Sequence, residues 1–252
     1  MGDVTPVLRI CHLYPDLLNL YGDRGNIMVL AQRARWRGVD VAIVEVTLGG
    51  TAPSDADLYF LGGGEDRQQR IAADDLAARQ GGPLTDAAAA GAVVLGVCGG
   101  YQLLGRFYRP AGGGDLPGVG LLDLWTEHPG AGSPRLIGNL VVQPAGDGPA
   151  LIGFENHGGR TYLGPGARPL GRVVSGFGNN GRDGGEGAVA ARVYGTYLHG
   201  PLLPKNPVFA DRLIREAMER RYPGCELAPL PEVLEEQARA SVLTRTGRPA
   251  GA

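Results

Sequence analysis

Apolar residues in the first half of the chain fall into compact blocks whose period switches between that of a strand and that of a helix. Val7–Leu13 is a short apolar run and reads as a strand. Residues 25–37 place Ile27, Leu30, Ala31 and Ala34 at helical spacing. Arg33, Arg35 and Arg37 gather towards the end of that segment, where cations suit a helix C-terminus, and Gly38 stops it. Residues 39–46 are β-branched and strand-like, and 57–61 form another strand that runs into Gly62, Gly63 and Gly64. Helical material follows over 65–79, and Pro83 starts a further helix through Ala90. Residues 92–97 make a strand buried by composition that ends at Cys98, and 99–107 read as a helix. Strands alternating with helices predict an α/β fold, a largely parallel central sheet with helices on both faces.

The second half, about 118–195, is richer in glycine and in short strands such as 136–142 and 189–194, and this part is expected to be more antiparallel. Amphipathic helices are expected over 208–221 and 231–244. No repeat and no linker divides the chain, so one domain is expected over 1–245, with a flexible tail at 246–252.

Composition narrows the function classes. The 43 glycines and 19 prolines make up about a quarter of 252 residues, but they sit between apolar blocks, and 43% apolar content is enough for a core. A net charge of −2 gives no basic footprint for nucleic acid. No run of 18 apolar residues predicts membrane insertion, and the first residues lack the pattern of a signal peptide. Three distant cysteines, Cys11, Cys98 and Cys225, do not suggest a disulfide framework, and the reading is a cytoplasmic protein.

The sharpest chemical signal is Gly96-Val97-Cys98-Gly99-Gly100-Tyr101-Gln102. A buried strand stops at a cysteine flanked by small residues as a helix begins, the thiol form of a nucleophile elbow. Such a turn strains the nucleophile's backbone, so its neighbours must be small. Helix N-terminal amides are expected to favour thiolate, and the Gly99 amide points to where an oxyanion forms. A base is needed. His199 follows the apolar run 193–198 and precedes Gly200-Pro201, at a strand end. His157, in a glycine-rich setting, is its rival. Gly63, within Gly62-Gly63-Gly64, is placed to supply the second oxyanion amide. A phosphate loop does not fit, since G-x-x-x-x-G-K-[ST] is absent and Lys205 is the only lysine.

In this order, strand-GGG, G-x-C-G-G-Y-Q and G-T-Y-L-H-G, the chain resembles class I glutamine amidotransferases of the cobyric-acid-synthase-like branch. Segments 18–26 (LNLYGDRGN), 62–67 (GGGEDR), 153–162 (GFENHGGRTY) and 195–206 (GTYLHGPLLPKN) resemble the glutaminase subunits of lipid II isoglutaminyl synthases. The likeness runs from about Arg9 to Arg239. It implies a flavodoxin-like amidotransferase fold, Cys98 as nucleophile, His199 as base and later acid, Gly63 and Gly99 at the oxyanion, and Arg135 holding L-glutamine by its α-carboxylate. It also implies a Mur-ligase-like partner that uses the ammonia to amidate the α-carboxyl of D-glutamate in the peptidoglycan stem. ATP and magnesium belong to that partner, and this chain needs no metal or other cofactor. One departure stands out. Many such enzymes carry a glutamate two residues after the histidine, where this chain has Pro201. The orienting acid then comes from elsewhere in the chain, Glu155 being the best candidate, or from the partner. Corrinoid amidation and a non-catalytic scaffold are the alternative readings.

Overall fold

The computed structural model describes residues 5–146, 148–231 and 233–245, so the expected tail at 246–252 lies outside the described residues. Strands β1 (Val7–Leu13), β2 (Asp40–Val46), β3 (Leu58–Leu61) and β4 (Val93–Val97) form the central sheet with two later strands, Val193–Thr196 and Ala188–Ala190. The order runs β2, β1, β3, β4, Val193–Thr196, Ala188–Ala190. All neighbours pair in parallel except the last two. The interior strands β3 and β4 are buried along their whole length, as a parallel sheet covered on both faces requires. β2, although rich in β-branched residues, is mostly exposed because it lies at the sheet edge.

The helices are α1 (Arg24–Arg35), α2 (Asp66–Asp75), α3 (Gly81–Ala89), α4 (Gly99–Leu103), α5 (Leu202–Lys205), α6 (Pro207–Arg221) and α7 (Val233–Arg245). α1 ends near Gly38, whose φ of +73° closes the turn. Arg33 grips Asp211 of α6 through Nε (2.6 Å) and Nη2 (2.7 Å), fixing the two helices against each other. A π-helical turn, Leu76–Gln80, joins α2 to α3, so Pro83 lies within the first turn of α3 instead of opening a separate helix.

Two sequence expectations fail for tertiary reasons. The helix expected over 99–107 stops at Leu103, and Phe107–Arg109 is a strand paired with Leu116–Pro117 and Leu124–Glu127. Gly105 is pressed against Leu124 and Gly118 against the Gly105 carbonyl so closely that a Cβ at either would collide. The chain therefore has to leave the helix there. The strand expected over 189–194 is instead a hairpin. Ala191 turns at φ +49° and folds Ala188–Ala190 back on Val193–Thr196.

The glycine-rich second half builds two four-stranded sheets. In one, Leu136–Pro144 lies between Leu151–His157 and Gly171–Ser175, all antiparallel as expected. In the other, Phe107–Arg109 and Leu124–Glu127 run parallel and the remaining pairs antiparallel. The amphipathic helices expected near the C-terminus are α6 and α7. No helix among the described residues is long and apolar enough to cross a membrane.

Candidate active site

A parallel sheet delivers the loops after its strands to one edge. From β1 the chain moves outward to β2, whereas from β3 it moves the other way to β4, so the order reverses between β1 and β3. Such a reversal opens a crevice at the carboxyl ends of the strands. The loop after β1, the glycines 62–64 after β3, Cys98 after β4 and His199 after Val193–Thr196 all arise from this edge.

Cys98 has φ +51° and ψ −106°, a conformation rare for a residue with a side chain. Its N–H donates to the Thr196 carbonyl at 2.8 Å, tying the elbow to the strand that leads to His199. The flanking glycines are obligatory. A Cβ on Gly96 would lie 2.9 Å from the Gly100 backbone, and one on Gly100 would strike the Leu61 carbonyl. The sequence-based expectation of a ready thiolate does not hold. Burial pushes the Cys98 thiol up to about 12, and the negative charge of Asp23 adds to this, against the opposing effects of the Gly99 amide and Arg135. α4 has only five residues, too short a helix to offset burial.

His199 is buried, with its backbone bridged to Phe154 through bonds of 3.0 and 3.1 Å. Its ring lies 4.4 Å from that of Tyr21 and edge-on to Phe154 at 6.0 Å. Neither ring nitrogen has a hydrogen-bond partner among the described residues. Burial lowers its pKa to about 4, helped by His157, Lys205 and Arg135. Near pH 7 both candidate catalytic groups are therefore neutral.

Glu155 is not placed to orient His199. Side chains alternate along the strand Leu151–His157, so Phe154 meets the imidazole while Glu155 faces the other way. Its oxygens accept from the amides of Phe177 (2.6 Å) and Gly178 (2.9 Å) and lie 3.6 Å from His157 Nε2. His157, two residues on, is stacked on Tyr197 at 3.5 Å and bonded to the Gly159 carbonyl, part of a buried polar cluster.

Gly63 is not the free oxyanion donor expected from the sequence. Its N–H donates to Asp23 Oδ2 at 2.6 Å, so this amide is already spent. Asp23 is buried, and burial raises its carboxyl to about 7 despite that bond and one from Asn26. Of the three glycines, Gly64 is the one that lines the cavity beside Cys98.

That cavity holds about 450 Å³ and is bordered by Tyr21, Gly64, Cys98, Arg135 and Asn156. Arg135 is held there by Asn156, its Nε donating to Oδ1 (2.7 Å) and its Nη2 to the main-chain carbonyl (2.8 Å). A hollow of about 480 Å³ against α1, bordered by Ile27, Met28, Trp36 and Ile43, contains no nucleophile.

The chain from Arg9 to Pro207 matches the model of the CobB/CobQ-like glutamine amidotransferase domain. The chain belongs to this family of glutamine amidotransferases. The amidotransferase is 41% identical over 242 residues to subunit GatD of the glutamine-hydrolysing lipid II isoglutaminyl synthase of Staphylococcus aureus strain N315, covering 96% of this chain and 97% of that one. It is 39% identical to the GatD subunit of Streptococcus pneumoniae, over 88% and 84% of the two chains. Against a cobyric acid synthase of Pelotomaculum thermopropionicum it is 43% identical, but over only 45% of this chain and 24% of that one. A solved glutamine amidotransferase from Thermotoga maritima superposes with a TM-score of 0.52 at 16% identity, over 97% and 99% of the chains, which shows a shared fold.

Sequence reasoning passed over several residues of this amidotransferase's site. Tyr21, Asp23 and Asn156 lie inside segments that carried the family likeness, but no local pattern marks what they touch. Glu186 had no signal at all. It is fully buried and accepts from Thr196 Oγ1 (3.0 Å) and from the Tyr197 amide (2.7 Å), while the Leu198 amide donates to Thr196 Oγ1 (3.0 Å). Glu186 thus shapes the three residues that lead to His199. Burial raises its pKa from 4.5 to about 8. Between those values the folded chain holds a proton that the unfolded chain has lost, so this contribution to stability falls as pH rises. Glu186→Gln should match the parent near pH 5 and exceed it above pH 8, by on the order of 4 kcal/mol. Urea denaturation at both pH values checks this, and equal losses at both would reject a neutral buried acid.

Proposed function

We propose that this amidotransferase is the glutaminase subunit of a lipid II isoglutaminyl synthase. It hydrolyses L-glutamine, and a Mur-ligase-like subunit uses the ammonia to amidate the α-carboxyl of D-glutamate in the peptidoglycan stem peptide. The observation that carries the reading is an elbow cysteine at positive φ, bonded to the strand that ends beside a buried histidine, in a chain related to GatD over nearly its whole length.

Arg135 meets the α-carboxylate of glutamine, with Asn156 holding the guanidinium in place. Cys98 Sγ attacks the side-chain amide carbon. Because both groups start neutral, the thiol proton passes to His199 as the C–S bond forms. The developing oxyanion is stabilised by amides of Gly99 and of the 62–64 turn, where Gly64 faces the cavity. Gly63 joins only if Asp23 releases it. His199 then returns the proton to the departing nitrogen, leaving ammonia and a thioester. His199 next takes a proton from water as it attacks the thioester carbon, the C–S bond breaks, the proton passes from His199 to the sulfur, and glutamate leaves with the thiol restored. ATP and magnesium act on the ligase subunit, and the complex works in the cytoplasm, without nucleic acid or membrane insertion.

The test combines the chain with its ligase subunit, lipid II, ATP, magnesium and glutamine labelled with ¹⁵N in the side-chain amide. The isolated product should gain one labelled amide. Glutamine hydrolysis without transfer to the D-glutamate residue would overturn the acceptor. Arg135→Ala should weaken glutamine binding by roughly 1.5–3 kcal/mol, about tenfold to a hundredfold in KM with kcat little changed. Unchanged glutamine saturation would remove Arg135 from the site.

A further inference from the structure

We propose that Tyr21 is a positioning residue that clamps the imidazole of His199 and, through Asn156, sets the guanidinium of Arg135, so that one side chain aligns the base with the substrate anchor. The inference rests on the reading of Cys98, His199 and Arg135 as the glutaminase machinery.

Tyr21 sits in the 3₁₀ turn Leu20–Gly22 with φ +55° and ψ 25°, a left-handed conformation unfavourable for an aromatic residue. Such strain persists only where the surroundings enforce it. Here they do. The Leu20 amide donates to the Gly63 carbonyl (3.0 Å), Gly63 donates back to Asp23 (2.6 Å), and the Arg24 amide donates to Asn19 Oδ1 (2.9 Å). Burial does not explain the arrangement, because the residue stays 44% exposed. What the strained turn achieves is the position of the ring.

One part of that ring meets His199, with centroids 4.4 Å apart and planes tilted by 33°. Phe154 closes on the imidazole edge-on. An imidazole with no hydrogen-bond partner on either nitrogen among the described residues is otherwise free to rotate, so these ring contacts supply the orientation that hydrogen bonds do not. At the other end, the Tyr21 hydroxyl accepts from Asn156 Nδ2 at 2.6 Å. That bond leaves Asn156 Oδ1 turned towards Arg135 Nε at 2.7 Å. The chain of contacts thus starts at the buried His199 and continues through Tyr21, Asn156 and Arg135, which line the cavity that contains Cys98. The titratable and charged groups acting on His199 are His157 from its neighbouring strand, Lys205 from α5 and Arg135, and the Tyr21 ring packs on the same buried imidazole.

Two variants of the full chain separate the two ends of the clamp. Tyr21→Phe keeps the ring and loses the hydroxyl, so KM for glutamine should rise about threefold to tenfold with kcat unchanged. Tyr21→Gly removes the ring and also relieves the backbone, which protects the fold. It should raise KM similarly and lower kcat at least about tenfold. By NMR, the His199 ring should then titrate upward from about 4 towards 6.5, because the lost ring readmits water. A Tyr21→Gly chain with the parent's kcat, KM and His199 titration overturns the proposal. Cys98→Ala, assayed in parallel, distinguishes the failures. Persistent hydrolysis there would sink the underlying catalytic assignment, whereas an inactive Cys98→Ala beside unaltered Tyr21 variants would remove Tyr21 alone.

Discussion

Cys98→Ala should abolish glutamate release and leave the fold intact. Removing the nucleophile from an enzyme that works through a covalent intermediate can lower kcat by about six orders of magnitude, so turnover should fall to background. The fold should survive because alanine experiences the same positive φ that cysteine already tolerates, and the side chain lies at the cavity wall. The neutral resting thiol adds a second expectation. A general alkylating agent should react slowly with Cys98 near neutral pH, since burial holds its thiol near 12. The glutamine mimic 6-diazo-5-oxonorleucine, which brings its own electrophile into the site, should label it readily. Cys11 is fully buried in the core, with its thiol also pushed up to about 12, and should be spared. Substantial glutaminase activity in Cys98→Ala would end the covalent mechanism.

The isolated chain should turn over glutamine far more slowly than the chain bound to its ligase subunit. In a full triad, loss of the orienting acid lowers kcat by about four orders of magnitude. A thiolate–imidazolium pair would depend less on that acid, but this site holds a neutral thiol and an imidazole whose nitrogens have no partner among the described residues. A deficit of about two to four orders is therefore expected at saturating glutamine. A partner carboxylate on one ring nitrogen would select the tautomer and lift His199 from about 4, making it a stronger base at neutral pH. Equal turnover numbers with and without the ligase subunit would reject completion by the partner. Glu155→Gln should weaken the hold on the Phe177 and Gly178 amides and not act on His199 directly. A folded Glu155→Gln chain that lost all turnover would place the acid inside this chain after all.

Both predictions depend on features of unequal visibility in the sequence. β1, β3, β4 and the elbow are written locally. Buried parallel strands need unbroken apolar runs, and the crowding around Gly96 and Gly100 forbids any side chain, so residue type alone marked the candidate nucleophile. The placement of His199 at a strand end was legible for the same reason, because parallel strands bring their carboxyl ends to one edge.

Orientation and protonation were not legible, because distant segments set them. Glu155 and Phe154 are adjacent in sequence, yet strand alternation sends one to the imidazole and the other to the Phe177–Gly178 amides. Which of the two faces His199 depends on how that strand docks, and docking is a tertiary event. Gly63 looked like a free donor until the fold brought Asp23 to it across the β1–β3 crevice. The thiol looked ready to ionise until burial outweighed a five-residue helix. Tyr21 acquires its role only where the strained turn meets Asn156 and His199, more than a hundred residues away in the chain. Local sterics and the period of apolar residues therefore determined where the chemistry sits. The direction of each side chain and the charge it bears were decided by tertiary structure, because both depend on neighbours and on exclusion of water that no local pattern encodes.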